Sequence, residues 1–486
     1  MYVSYLFLIP ILGALNVMMI SKENLKLCRK VGLFWSMLVL IFFIILLNGF
    51  YLSSALHMYS ESSWLSQYLV KINWGPLIFS IDGISIYFIG LTILLIPTCI
   101  LISWSSIKFM VKEFIIGLFF IEILLMGVFS TLDILLFYIM FEGILIPMFI
   151  IIGIWGSREE KVRAAFYFFF YTLVGSLFML LCIFKIYELT GTTNYQTLLA
   201  LEIPYHLQTW LFLGFFMSLS VKIPMVPFHI WLPQAHVEAP VAGSVLLAGI
   251  LLKLGGYGFI RFSFPLFPIA SEYFSPIIII LSVIAVIYGS FTTCRQTDMK
   301  RLIAYSSVAH MGLVTLSIFT HSVEGLVASL FLMIAHGFTS SGLFMGVTVL
   351  YDRHHTRAIR YYKGITASMP VFATIVLILT LANISFPSTC NFIGEFFSLL
   401  SAFQYAKLSG ILACSGVILS AAYALLMYNR IFFGSLSPSI INNREMNRRE
   451  FNSNIPLLFF IIFLGLYPNW IIYSMLMGTY FTAGAT

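Results

Sequence analysis

A chain of 486 residues with 60% hydrophobic and only 9% charged side chains cannot be a soluble globular domain, since such domains carry roughly 25% charged residues. Its formal charge of +7 at pH 7 is a bias of Lys and Arg toward particular loops, with no basic patch of the kind that binds nucleic acid. The six cysteines (28, 99, 182, 294, 390 and 414) are scattered without a C-x-x-C, and no glycine-rich phosphate loop follows a strand pattern. Composition and spacing thus argue against an iron–sulfur cluster, a zinc site, a disulfide framework or a nucleotide pocket in this chain.

A spanning helix needs about 20 mainly apolar residues. Fourteen segments qualify, near 2–20, 31–52, 83–107, 113–132, 133–156, 163–188, 207–230, 240–262, 274–293, 299–320, 324–350, 366–398, 408–430 and 454–480. The fold class is therefore an all-α polytopic membrane protein. The first segment is apolar from Met1, without a basic leader or a small-residue cleavage site, and is expected to be a retained helix. Residues 51–76 read as a long outer loop, with a short amphipathic piece as an option, and 435–454 as a solvated polar loop. Of the 26 Lys and Arg, 20 fall at the odd-numbered connections and three at the even-numbered ones. The positive-inside rule demands this alternation and places both termini on the outer side.

The remaining three basic residues, Lys185, Lys222 and Lys253, lie inside apolar segments. Ionisable groups at bilayer depth are costly and are read by default as functional. Glu122, in the fourth segment, reads as a contact to a neighbouring subunit or as a secondary relay group. Glu142 follows Asp133 by nine residues, which puts it about 14 Å into the fifth segment. A carboxylate at that depth is paired or protonated, or else makes a structural helix–helix hydrogen bond. Lys185 is near a segment end and is expected to snorkel.

Lys222 precedes Pro224 and Pro227, so a charge stands beside a broken helix, as in ion-conducting membrane proteins. Its natural partner is Glu142. Proximity would keep both charged and separation would favour their neutral forms, which makes the pair a switch; a static ion pair is the alternative. His229, His236 and Glu238 read as part of a proline-rich outer turn, where a metal site is a remote option.

Lys253 lies about 20 Å along the eighth segment, too deep to snorkel easily. His310 and His336, each with Ser or Thr nearby, read as a proton relay, against the alternative of satisfied core histidines. Glu395 follows a second break at Pro387 and is the only acid of the twelfth segment. The two breaks are five segments apart, an odd offset of the kind that inverted-topology repeats leave; a chance echo is the other explanation. The high aromatic content (17%) reads as lipid-facing bulk and interfacial belts.

The run VKIPMVPFHIWLPQAHVEAPVAGSVLLAGILLK at 221–253, with FEGILIPM at 141–148, DMKRLIAYSSVAHM at 298–311, LYDR at 350–353 and FIGEF at 392–396, resembles the antiporter-like membrane subunits of respiratory complex I. Within that family the resemblance runs to the subunit 4 branch. It covers roughly residues 80–435. It implies fourteen helices with two inverted five-helix repeats, segments 4–8 and 9–13, in which segments 7 and 12 are discontinuous. The expected division is 1–110, an N-terminal three-helix region; 111–263, a first repeat whose half-channel holds Glu142 and Lys222; 264–435, a second whose half-channel holds Glu395; and 436–486, a loop and a C-terminal helix.

By the same resemblance Glu142 and Lys222 match the family's Glu–Lys pair, and Lys253 its central lysine. His310 and His336 match its linking histidines, and Glu395 its terminal acid. The implied function is proton translocation driven by electron transfer from NADH to ubiquinone elsewhere in the assembly. No cofactor is expected in this chain, with NADH, FMN, iron–sulfur clusters and ubiquinone in other subunits. Expected partners are the other membrane-arm subunits, especially the neighbouring antiporter-like ones, and the lipid bilayer, with cardiolipin a candidate. The implied location is the mitochondrial inner membrane, with basic loops in the matrix and both termini in the intermembrane space. Gln234 and Ser388 depart from the family pattern, where Glu or Lys and Gly are usual. The chain also ends soon after segment 14, without the long lateral helix of subunit 5. A subunit of a multi-component cation/proton antiporter and a purely structural scaffold are the other readings.

Overall fold

The computed structural model describes residues 2–52, 57–61, 78–201, 203–438, 440 and 444–483. Most of the expected outer loop at 51–76 lies outside the described residues. Where the chain reappears, strand β1 (His57–Glu61) pairs antiparallel with β2 (Ile78–Asp82), a small ribbon that hydropathy did not reveal.

The rest is helical. In chain order the main helices are α1 (Tyr2–Met19), α2 (Leu25–Leu52), α3 (Ser85–Ser106), α4 (Val111–Ser130), α5 (Ile134–Trp155) and α6 (Lys161–Thr190). There follow α7 (Tyr205–Lys222), α8 (Trp231–Glu238), α9 (Val241–Leu266), α10 (Pro268–Cys294), α11 (Met299–Ile318) and α12 (Val323–His354). The chain closes with α13 (Pro370–Asn383), α14 (Cys390–Tyr405), α15 (Lys407–Phe432), α16 (Arg448–Leu466) and α17 (Asn469–Ala483).

Among the described residues, eleven helices are long and apolar enough to cross a membrane. The other three expected segments are the shorter α1 and the two interrupted ones, α7–α8 and α13–α14. Helices α9 and α12 are buried along their whole apolar length, whereas α2, α6 and α16 leave most of theirs exposed. The exposed faces carry Phe34, Ile45, Leu181, Phe184 and Phe459, side chains suited to lipid. Lys253 of α9 and His336 of α12 are thus enclosed in the interior.

Close approach of α9 to α7 depends on Gly255, where a Cβ would come within 2.7 Å of the Leu219 carbonyl oxygen. Two π-turns, Leu247–Leu251 and Phe259–Ser263, flank the middle of α9. Its far end is tied down by Arg261, whose Nη1 is 2.5 Å from Asp82 Oδ2 and whose guanidinium lies over the Tyr195 ring. The other carboxylate oxygen of Asp82 accepts the Ser85 N–H at the start of α3.

The last expected segment differs from a single helix at 454–480. It begins at Arg448, inside the expected polar loop, because Asn447 and Glu450 form a capping box. It is then interrupted at Tyr467–Pro468, where proline cannot continue the hydrogen-bond ladder. Glu450 also pairs with Arg353 of α12 at 2.8 Å, fastening α16 to the core. Gly465 of α16 leaves room for the Ser388 carbonyl at the α13–α14 break.

Ser388 itself has φ +75°, a left-handed conformation, which costs an L-residue about 1–2 kcal/mol and glycine little. Ser388→Gly is therefore expected to stabilise the fold by about 1 kcal/mol. A thermal unfolding midpoint raised above that of the parent would show it.

Candidate functional site

The site is built from two helix breaks and the axis between them. Helix α5 starts with Asp133 accepting the Leu136 N–H, and Thr193 Oγ1 donates to its second oxygen. Further along comes Glu142, just before the ladder opens at Ile144. Pro147 has no N–H to offer the Gly143 carbonyl, which accounts for the opening. Glu142 Oε1 is enclosed, without a hydrogen-bond partner among the described residues.

Lys222 ends α7, where the negative end of the helix dipole suits an ammonium. Beyond it the chain cannot stay helical through Pro224 and Pro227. The Val221 carbonyl left open is taken by Trp231 Nε1–H at 3.0 Å. The Lys222 ammonium lies 4.4 Å from the centre of the Phe141 ring, a cation–π contact. Glu142 is its electrostatic partner, but the two are not in contact as a salt bridge. The expected pair is thus adjacent and open.

Lys253 is fully buried in the middle of α9. Its ammonium donates to the Ala248 carbonyl, within the first π-turn, and lies 3.0 Å from His336 Nδ1. A π-turn leaves carbonyls out of the normal ladder and is common at functional sites. The His336 ring on α12 is 5.5 Å, centre to centre, from that of His310 on α11. His310 Nδ1 is in turn 2.8 Å from Glu395 Oε1 on α14. All four side chains are buried. The free ring nitrogens, His310 Nε2 and His336 Nε2, have no partner among the described residues, and buried polar atoms of this kind are normally met by water. Lys253, His336, His310 and Glu395 thus form one line across the interior.

Two expected residues stand apart from that line. Glu122 is fully buried in α4, with neither carboxylate oxygen partnered among the described residues. A carboxylate enclosed by its own chain is out of reach of a neighbouring subunit, which corrects the contact reading. Lys185 is partly exposed and pairs with Glu188 at 3.0 Å, as a snorkelling residue would.

The supposed outer turn needs correction as well. After the break the chain forms α8 and turns only at Ala239–Pro240. The Glu238 carbonyl meets the Ser157 N–H, and Arg357 donates to Val237 O and Ser157 Oγ, so this segment packs among the basic odd-numbered loops. His236 is completely buried, stacks 4.8 Å from Phe344, and has Lys253 and Lys300 as electrostatic neighbours. The sequence reading missed it. The helical spacing of Trp231, Leu232, Ala235 and His236 on one apolar face was the available signal.

A polytopic helical protein with a buried line of Lys, His and Glu between two broken helices belongs among ion-translocating membrane proteins. The family model described as NADH:quinone oxidoreductase/Mrp antiporter, TM, matches residues 131–420. NADH-ubiquinone oxidoreductase chain 4 of Metridium senile is 58% identical, over 97% of this chain and 96% of that one. The protein of the same name from Chondrus crispus is 49% identical, over 95% and 93%.

Among solved structures, a chain of respiratory complex I from Thermus thermophilus with bound NADH superposes with a TM-score of 0.90 at 28% identity, covering 100% of this chain and 99% of that one. A chain of the Mrp complex from a Dietzia species gives 0.84 at 18% identity, over 99% and 97%, a likeness of fold alone. The chain belongs to the NADH:quinone oxidoreductase/Mrp antiporter membrane family, in its NADH-ubiquinone oxidoreductase chain 4 branch.

Proposed function

We propose that this chain is a proton-translocating membrane subunit of an NADH:ubiquinone oxidoreductase, respiratory complex I. It couples electron transfer elsewhere in the complex to proton movement. The observation that carries the reading is the buried line Lys253–His336–His310–Glu395, with the open Glu142–Lys222 pair beside it. Lys253 gives up and regains a proton, the two histidines pass it on with enclosed water, and Glu395 receives it. Closing or opening the Glu142–Lys222 pair changes the charge felt at Lys253 and so times the transfer. His236 joins the line on the side of the basic loops, and Glu122 is a secondary relay group.

The likeness to the chain 4 proteins, at up to 58% identity, supports complex I over a cation/proton antiporter, whose solved relative is 18% identical. The chain crosses the mitochondrial inner membrane fourteen times, with the basic loops in the matrix and both termini in the intermembrane space. Its organisation is that expected from sequence: 1–110, two inverted repeats at 111–263 and 264–435, and 436–486. The odd spacing of the breaks α7–α8 and α13–α14 supports the repeats. Its partners are the other membrane-arm subunits and the bilayer lipids, cardiolipin among them. Redox groups reside in the partners.

The test begins with a mild-detergent native gel of the source membrane, stained for NADH-dependent dye reduction, with mass spectrometry of the stained band. Co-migration of this chain with a very large NADH-oxidising assembly is expected. A smaller band without that activity would favour the antiporter. Lys222→Met and Glu142→Gln should each assemble and each slow quinone-linked turnover. The double variant should lose no more than the worse single, since the two residues act as one unit. Additive losses would show that they act separately.

A further inference from the structure

The buried line does not by itself reach a surface, and the end of the molecule with the basic loops holds a feature that bears on this. Between the start of α6, helix α8 and the start of α11 is a cavity of about 170 Å³, lined by Glu160, Arg163, Tyr167, Gln234, Glu238 and Arg301. A water molecule needs about 30 Å³, so several fit.

Glu238 differs from the other polar groups of this wall. It is 4% exposed, and its Oε2 is enclosed without a partner among the described residues. The residue lines the cavity, so its carboxyl group borders the water that a polar cavity of this size holds. Near it is Lys300, also buried, whose ammonium donates to the Ala239 carbonyl at 2.6 Å and which has Glu238 as an electrostatic neighbour. His236, both of whose ring nitrogens lack partners among the described residues, has Lys300 and Lys253 as its electrostatic neighbours and so links this end to the buried line. Two residues apart on α8, Glu238 and His236 project about 200° from one another, one to the cavity and the other to the axis.

We propose that this cavity is the proton inlet of the subunit and that Glu238 is its inlet acid. The inference rests on the proton-translocation reading above and extends it to the point of uptake. The Glu238 carboxylate takes a proton from cavity water and releases it to enclosed water. His236 accepts it on one ring nitrogen and gives up the proton on the other toward Lys253, so no net charge stays on the imidazole. Lys300, an electrostatic neighbour of both Glu238 and His236, is a positioning residue between them.

The test uses the assembled complex in open membrane fragments, with quinone-linked turnover normalised to the amount assembled. Glu238→Gln should lower turnover by about tenfold. Millimolar formate, a small acid that fits the cavity, should restore it several-fold. Glu238→Asp should retain an intermediate rate, and decides the matter if the Gln variant fails to assemble. Lys253→Met should be inactive with or without formate.

Unchanged turnover in Glu238→Gln, with Lys253→Met inactive, overturns the inlet and leaves proton translocation standing. A loss that formate does not relieve makes Glu238 a structural residue and also overturns it. For the Asp variant, a parental rate, or a loss that formate leaves unrelieved, overturns it equally. Full turnover in Lys253→Met sinks the underlying reading instead.

Discussion

Lys253→Met should assemble normally and lose quinone-linked turnover by at least about tenfold, the scale on which removal of a positioned proton donor acts. Lys253 is the one residue of the axis that contacts both a freed backbone carbonyl, that of Ala248, and the first histidine of the line. Methionine has nearly the volume of the lysine stem, so packing around the stem is preserved. Oxidation of NADH by an artificial acceptor, which bypasses quinone, should be unaffected.

The companion variant Lys253→Arg separates two roles for the charge. A guanidinium keeps the positive charge but does not release its proton in a protein. If Lys253 transfers protons, Arg is as inactive as Met; if it only holds helices together, Arg is tolerated and Met impairs assembly. Turnover per assembled complex, read from a native gel and a quinone assay on the same sample, decides between them.

The second large effect is on stability. Arg261→Met should cost about 3–5 kcal/mol, because it removes the Arg261 half of a buried ion pair with Asp82. The pair is 9% and 2% exposed, so solvent cannot compensate. Replacing both, Arg261→Met with Asp82→Asn, should recover most of that loss, since desolvation of two charges offsets much of their attraction. The measurements are the amount of assembled complex and its thermal midpoint. Equal damage in the single and double variants would mean that the Arg261 contact with the Tyr195 ring matters more than the ion pair.

These residues show how far the sequence could be read. The helix break beside Lys222 was legible because proline acts locally, on its own ring and the preceding turn. The depth of Glu142 and Lys253 followed from the rise per residue alone. The position of the third basic residue, Lys185, near a helix end was equally plain. His236 was not legible as a buried group because the density of prolines around it, at 227, 233 and 240, reads locally as a turn. The chain instead re-enters a helix at Trp231 and turns only after Glu238. Glu122 was read without knowledge of which face of α4 is covered, and that face proved to be enclosed.

Composition, hydropathy and the placing of prolines were enough for the membrane class, the order of the apolar segments, the two breaks and the choice of charges that fall within apolar runs. Those properties depend on runs of adjacent residues and on the cost of burying a charge in hydrocarbon. Packing alone settled that Lys253 meets His336 across 83 positions of chain, that His310 meets Glu395, and that Glu142 and Lys222 stand adjacent without touching. Such pairings depend on helix rotation and on close approaches such as that at Gly255, which follow from the fit of many distant side chains.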